Sequence, residues 1–174
     1  MKEHTIWTIG HSTRSLEEFV ELLKSFNIEL LVDIRRFPGS NSYPHFNKDK
    51  LEKSMKEHDL EYIHLEDLGG RRKVQPNSQN NAWRLASFQG YADYMETEEF
   101  VSELNQLKEL ATKKSTVIMC AEAVWWSCHR SLVADYLKLE GWNVMHIMGL
   151  GKSTEHPYTQ PARIEDGKLT YSTP

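Results

Sequence analysis

Short apolar runs alternate along this chain with longer segments whose apolar positions recur every three to four residues. Thr5–Ile9 reads as a strand that stops at Gly10. Ser15, with Glu18 three residues on, is a capping-box pattern, and Leu16, Phe19, Val20, Leu22 and Leu23 follow at helical spacing to about Phe26. Glu29–Ile34, almost wholly apolar until Asp33, has the character of a buried parallel strand. Arg35–Phe46 carries Pro38, Gly39 and Pro44 and is expected to be loop. Asn47 caps a helix with Leu51 and Met55, ending near His58, and Glu61–His64 is a short strand. Leu68–Ser78 is polar loop, and Phe88–Met95 is helical. Thr97 caps a helix carrying Phe100, Val101, Leu104, Leu107 and Leu110. Thr116–Met119 is the fourth strand. The helix opened by Cys128 runs to Glu140 and stops at Gly141, and Asn143–Ile147 is the fifth strand.

Strands alternating with helices require crossovers. The expected fold is therefore α/β, a three-layer sandwich with a mainly parallel five-strand sheet and helices on both faces. Residues 1–150 form the domain that carries the site. Residues 151–174 form a tail, in which Asp166-Gly167 can turn a small hairpin between Arg163-Ile164 and Leu169-Tyr171. Arg71–Phe88 reads either as a flap over the site or as a plain mobile loop.

Such sheets bind ligands beyond the carboxyl ends of their strands, so the residues just after each run gain weight. They are Gly10, His11, Ser12 and Arg14; Asp33, Arg35 and Arg36; His64, Glu66 and Asp67, then Gly69, Gly70, Arg71 and Arg72; Cys120, Glu122, Trp125, Trp126, Cys128, His129 and Arg130; and His146. The formal charge is −4, which argues against a protein that coats nucleic acid by bulk electrostatics but not against a local basic cleft. Arginines gathered at one edge of an acidic protein point to an anionic ligand. The two cysteines form no Cys-x-x-Cys pair, which suits a reducing, cytoplasmic compartment. Met1–His4 lacks the long apolar core of a signal peptide, and no run is long enough to cross a bilayer.

The segment Val117–Arg130 is the most informative, because it sets a thiol, an imidazole and a guanidinium at the positive end of a helix. Cys128 is either a nucleophile or a buried inert thiol; Cys120 fits packing better than chemistry. The spacing of Cys120, Cys128 and His129 matches no standard zinc pattern, and no metal or cofactor is assigned. Glu122 is either a proton-transfer carboxyl or the ion-pair partner of Arg130. Asp33 is either catalytic or the cap of the following turn. In extended chain Arg35 and Arg36 point opposite ways, so one enters the cleft and the other is solvated. His11 is a weak candidate for a base or an anion donor, with Ser12 beside it. Gly69-Gly70-Arg71-Arg72 can form an anion nest but is not a Walker loop. Trp125 and Trp126 either stack on a base or sugar or cover the core.

Four blocks, Thr8–Ser12, Val32–Ser40, Leu68–Arg72 and Cys120-Ala121-Glu122 with Cys128-His129-Arg130, together resemble the signature of the family called domain of unknown function 488. The resemblance runs from Thr8 to about His146. It implies an α/β sandwich with a parallel-type sheet and puts Gly10, His11, Ser12, Asp33, Arg35, Arg36, Gly69, Gly70, Arg71, Cys120, Glu122, Cys128, His129 and Arg130 at motif positions, without implying a reaction. Trp125-Trp126 and the tail are individual to this chain.

Three functions follow as expectations. The first is an enzyme, a hydrolase or transferase, acting on a small anionic substrate that carries phosphate or derives from a nucleotide or nucleic acid. Arg35, Arg36, Arg71 and Arg130 would hold the anion with Ser12, Gly69 and Gly70. Asp33, Glu122, His11, His129 and Cys128 would supply the chemistry. The second is a non-catalytic nucleotide or nucleic-acid binding module, and the third a thiol redox sensor built on Cys120 and Cys128. No oligomeric state is readable.

Overall fold

The computed structural model describes residues 4–39 and 42–174. Ser40, the last residue of the second signature block, and Met1–Glu3, read above for a leader, lie outside the described residues. The main elements are β1 (Thr5–Gly10), α1 (Leu16–Ser25), β2 (Leu30–Asp33), α2 (Lys48–Glu57), β3 (Glu61–His64), α3 (Ala86–Tyr94), α4 (Glu98–Lys113), β4 (Thr116–Cys120), α5 (Arg130–Leu139), β5 (Asn143–Gly149), β6 (Lys152–Glu155), β7 (Arg163–Glu165) and β8 (Lys168–Thr170). The capping box at Ser15 and Glu18 forms as its spacing requires, each side chain meeting the other's backbone N–H. Thr97 caps α4 by accepting from the Phe100 N–H.

The principal sheet runs β3-β2-β4-β1-β5-β6. The five strands anticipated from the sequence are parallel to one another, and a sixth, β6, adds antiparallel to β5. The five-strand count is corrected for a physical reason. Lys152–Glu155 is exposed along its whole length, so it carries no alternation of apolar and polar positions. It joins the edge through backbone hydrogen bonds after a turn in which Gly151 takes φ +62°. The sheet thus continues past residue 150, and β7 and β8 form a separate antiparallel hairpin around Asp166-Gly167.

Each sheet face buries one apolar cluster. α1 and α2 cover Ile9, Leu31, Val117 and Met119 with Phe19, Leu23, Leu51 and Met55. α3, α4 and α5 cover Ile6, Leu30, Val32 and Ile118 with Tyr91, Phe100, Leu104, Leu107, Leu132 and Leu137. The split follows the period of two along each strand, and it yields three layers. Leu16, Phe19, Val20 and Leu23 share one stripe of α1 because three and four residues make one helical turn.

The topology also opens a crevice at one edge of the sheet. The chain leaves β1 for α1 on one face and leaves neighbouring β4 for α5 on the other. Adjacent strands whose connections diverge leave a crevice at their carboxyl ends. The crossing is tight, because the His11 N–H donates to Cys120 O (2.9 Å) and the Ser12 N–H to Ala121 O (2.9 Å).

Candidate functional site

A cleft of about 700 Å³ opens over that crevice. Its walls come from His11, Ser12 and Thr13 after β1, from Arg35, Arg36 and Phe37 after β2, from Gly70 and Arg71, and from Cys120–Ala123 and Ser127–His129 between β4 and α5. Tyr43, Ser87 and Phe88 complete the mouth.

Asp33 and Arg35 form its rigid side. Asp33 is fully buried and receives Arg35 Nε on Oδ1 (2.8 Å), Arg35 Nη2 on Oδ2 (2.7 Å), the Arg35 backbone N–H (3.0 Å) and the Tyr62 hydroxyl (2.6 Å). Arg35 also donates to Phe46 O (2.7 Å). A carboxylate so occupied has no lone pair free to handle a proton; it holds a guanidinium in place. Tyr62, which the sequence reading passed over, reaches Asp33 from neighbouring β3, and burial and the Asp33 charge push its phenol well above the ordinary range. Both arginines line the cleft because the chain leaves the extended conformation after Asp33.

His11 stacks on Phe46 with ring centroids 4.4 Å apart. Its Nδ1 donates to Ser12 O (2.9 Å), so Nε2 is the acceptor that faces Arg35 Nη1 (3.3 Å). Burial is the main cause that lowers its pKa to about 4, with the Arg35 charge adding to it. His11 is therefore neutral at pH 7. Ser12 holds its turn at φ +51°. Gly10 allows β1 to pass under the following loop, since a Cβ there would stand 1.6 Å from Glu122 O. Gly69 lies against the Arg36 backbone, where a Cβ would come within 2.5 Å of Cα, and Gly70 faces the His129 ring. Arg71 is exposed at the rim with φ +62°, and its carbonyl accepts from Arg36 Nη1 (2.8 Å).

The floor is built around Cys128. A short 3₁₀ turn, Trp125–Ser127, delivers it immediately before α5. Its sulfur accepts the Arg130 backbone N–H (3.5 Å) and lies 3.4 Å from His129 Nδ1. His129 Nε2 donates to Ile34 O (3.0 Å), which leaves Nδ1 as the acceptor of the neutral ring. Burial lowers the His129 pKa despite opposing contributions. Burial alone would push the Cys128 thiol up. Hydrogen bonding from Cys120, the Arg130 N–H and the Arg130 guanidinium outweigh it, and the net shift is downward. Cys120, buried and donating, is pushed well up. The two thiols are thus shifted in opposite directions, Cys128 downward and Cys120 upward.

Arg130 is 1% exposed. Its Nη2 donates to Ala123 O (3.2 Å), while Nε and Nη1 have no hydrogen-bond partner among the described residues. It lies beneath the cleft rather than on its wall. Glu122 is an exposed residue at the rim. Trp125 stacks on His146, 4.8 Å between centroids and 4° between planes, and Trp126 packs edge-on against it, 54% exposed. Neither tryptophan lines the cleft.

Behind Trp125 runs a buried polar chain. Thr8 hydrogen-bonds His146 Nδ1, His146 Nε2 meets His156 Nδ1 (2.8 Å), and His156 Nε2 meets Asp135 Oδ1 (2.7 Å). Asp135 also receives the Thr159 N–H (3.0 Å) and the Tyr171 hydroxyl (2.8 Å). Burial first, then His156 and Arg130, lower His146 to about 2. The chain of contacts links Thr8 on β1 to Asp135 on α5 through the two histidine rings. The network joins β1 to β5 through residues 138 positions apart in the chain and holds the tail through His156, Thr159 and Tyr171, and nothing in local sequence signals those pairings.

Among the described residues there is no cluster of three metal-ligating side chains and no helix long and apolar enough to cross a membrane. A family model described as Domain of unknown function DUF488 matches residues 15–137. No curated protein and no solved structure matches the chain.

Proposed function

The chain belongs to the DUF488 family, and we propose from that premise that it is an enzyme which transfers a group from a small anionic substrate through the sulfur of Cys128. One observation carries the reading. A thiol at the floor of a cleft meets a helix-start N–H and lies in the field of a buried guanidinium that has no carboxylate partner among the described residues. An unpaired buried cation is costly, and a thiolate at Cys128 offsets that cost. The same surroundings favour an anionic group entering beside Arg36 and Arg71.

In the reaction the Cys128 thiolate attacks the electrophilic atom of the substrate. A bond forms to sulfur as the bond to the leaving group breaks with its electron pair, and the leaving group takes a proton from water in the open cleft. An acceptor, water included, then takes the group from sulfur and restores the thiolate. The thiol proton passes to water in the cleft when Cys128 ionises, since burial keeps His129 a poor proton acceptor. Asp33 acts as a positioning residue for Arg35.

The test compares alkylation by iodoacetate and iodoacetamide, with sites mapped by mass spectrometry. The expected result is that Cys128 reacts before Cys120, that iodoacetate is favoured relative to its rate on free cysteine, and that inorganic phosphate slows both reagents. A reagent ratio equal to that of free cysteine, with no protection by phosphate, contradicts the proposal. The second reading, a non-catalytic module, predicts phosphate binding without a preferentially reactive Cys128.

A further inference from the structure

The mouth of the cleft differs in chemistry from its floor. Phe37 is 61% exposed, an unusual position for a phenyl ring, and the Arg36 and Arg71 guanidinium carbons stand 5.4 and 5.5 Å from its centroid. Tyr43 and Phe88 line the same mouth from two other segments, a turn before α2 and the first turns of α3. Inorganic phosphate needs none of this. Aromatic faces beside guanidinium groups recognise planar rings, by stacking and by cation–π attraction. The layout also has a polarity, with the thiol and helix start within and the rings outside. About 700 Å³ exceeds what a bare oxyanion fills and suits a ligand of two parts.

We infer that the substrate is a mononucleotide, its phosphate directed inward past Arg36 and Arg71 toward Cys128 and its base held at the mouth against Phe37. The inference rests on the proposed anion site and adds the class of the group attached to the anion. It makes Phe37 a specificity residue that takes no part in the chemistry.

The experiment measures binding of AMP, ribose 5-phosphate and phenyl phosphate by calorimetry at fixed low salt. Stacking of a base on an aromatic side chain is worth about 1–3 kcal/mol, or roughly five- to 150-fold. AMP is expected to bind at least about fivefold more tightly than ribose 5-phosphate. Phe37→Ala should remove that preference and leave ribose 5-phosphate unchanged, whereas Arg36→Gln should weaken both. Phe37 is on the surface, so the variant is expected to fold as the parent does. Equal affinities for AMP and ribose 5-phosphate, a preference that survives Phe37→Ala, phenyl phosphate binding as tightly as AMP, or no binding of AMP at millimolar concentration each overturns the inference. Alkylation of Cys128 in the same samples separates the two ideas: an AMP preference with an inert Cys128 supports the nucleotide site and removes the nucleophile.

Discussion

Replacing Asp33 by Asn tests what the Asp33–Arg35 pair does. The variant keeps the shape of the side chain but removes its charge and turns one acceptor oxygen into a donor. Four donors converge on the Asp33 carboxylate, at 2.6 to 3.0 Å, and the residue is fully buried. In the variant at least one of Arg35 Nη2, Arg35 Nε and the Tyr62 hydroxyl faces an amide N–H. Arg35 then remains a buried cation whose other acceptors are Phe46 O and His11 Nε2. Removing one partner of a buried ion pair costs about 3–5 kcal/mol. With a urea dependence of about 2 kcal/mol per molar for a domain of this size, the unfolding midpoint should fall by roughly 1.5–2.5 M. The double variant Asp33→Asn/Arg35→Met should lose less than the sum of the single losses, since it removes the stranded cation. A loss below about 1 kcal/mol in Asp33→Asn, or strict additivity in the cycle, refutes the positioning role and returns Asp33 to the list of chemical groups.

Three further outcomes follow from the same structure. Gly10→Ala would place Cβ at 1.6 Å from Glu122 O, against backbone that cannot yield cheaply; it should cost 3 kcal/mol or more, roughly, by denaturation, and a loss under ~1 kcal/mol would mean that the loop can shift. Acid should destabilise the fold between pH 6.5 and 4, because His11 and His146 have pKa values lowered to about 4 and about 2. The unfolded chain binds the extra protons, so stability is full above the unfolded value and declines as pH falls, at about 2–3 kcal/mol per pH unit near pH 5 from these two groups; equal urea midpoints at pH 7 and pH 5 would contradict it. Asp135→Asn removes the acceptor shared by His156, Thr159 and Tyr171. Amide exchange should rise across residues 156–171 and remain unchanged in β2, and uniform protection would show that the tail is held by apolar contact alone.

The sequence made the alternation of strands and helices legible, because buried parallel strands such as Leu30–Asp33 and amphipathic helices such as α1 leave strong periodic marks. It left β6 unread, since an edge strand of exposed residues leaves none. At the site, the rule that ligands lie beyond strand ends gathered Arg35, Arg71, Cys120, Cys128 and His129, and the fold brings them to one cleft. The division of labour among them was not readable. Asp33 meets Tyr62 only through strand pairing, and Trp125 meets His146 only through the order of β4, β1 and β5. Arg130 is adjacent in sequence to the chemistry yet buried beneath it, a difference of depth that spacing along a helix cannot convey.

The most direct test of the account is the pH dependence of iodoacetamide alkylation at Cys128, followed residue by residue beside a reference cysteine peptide in the same buffer. The account predicts a midpoint below that of the peptide for Cys128, moved upward by Arg130→Met, with Cys120 unlabelled until far higher pH. A Cys128 midpoint at or above that of the peptide, or faster labelling of Cys120, would contradict it.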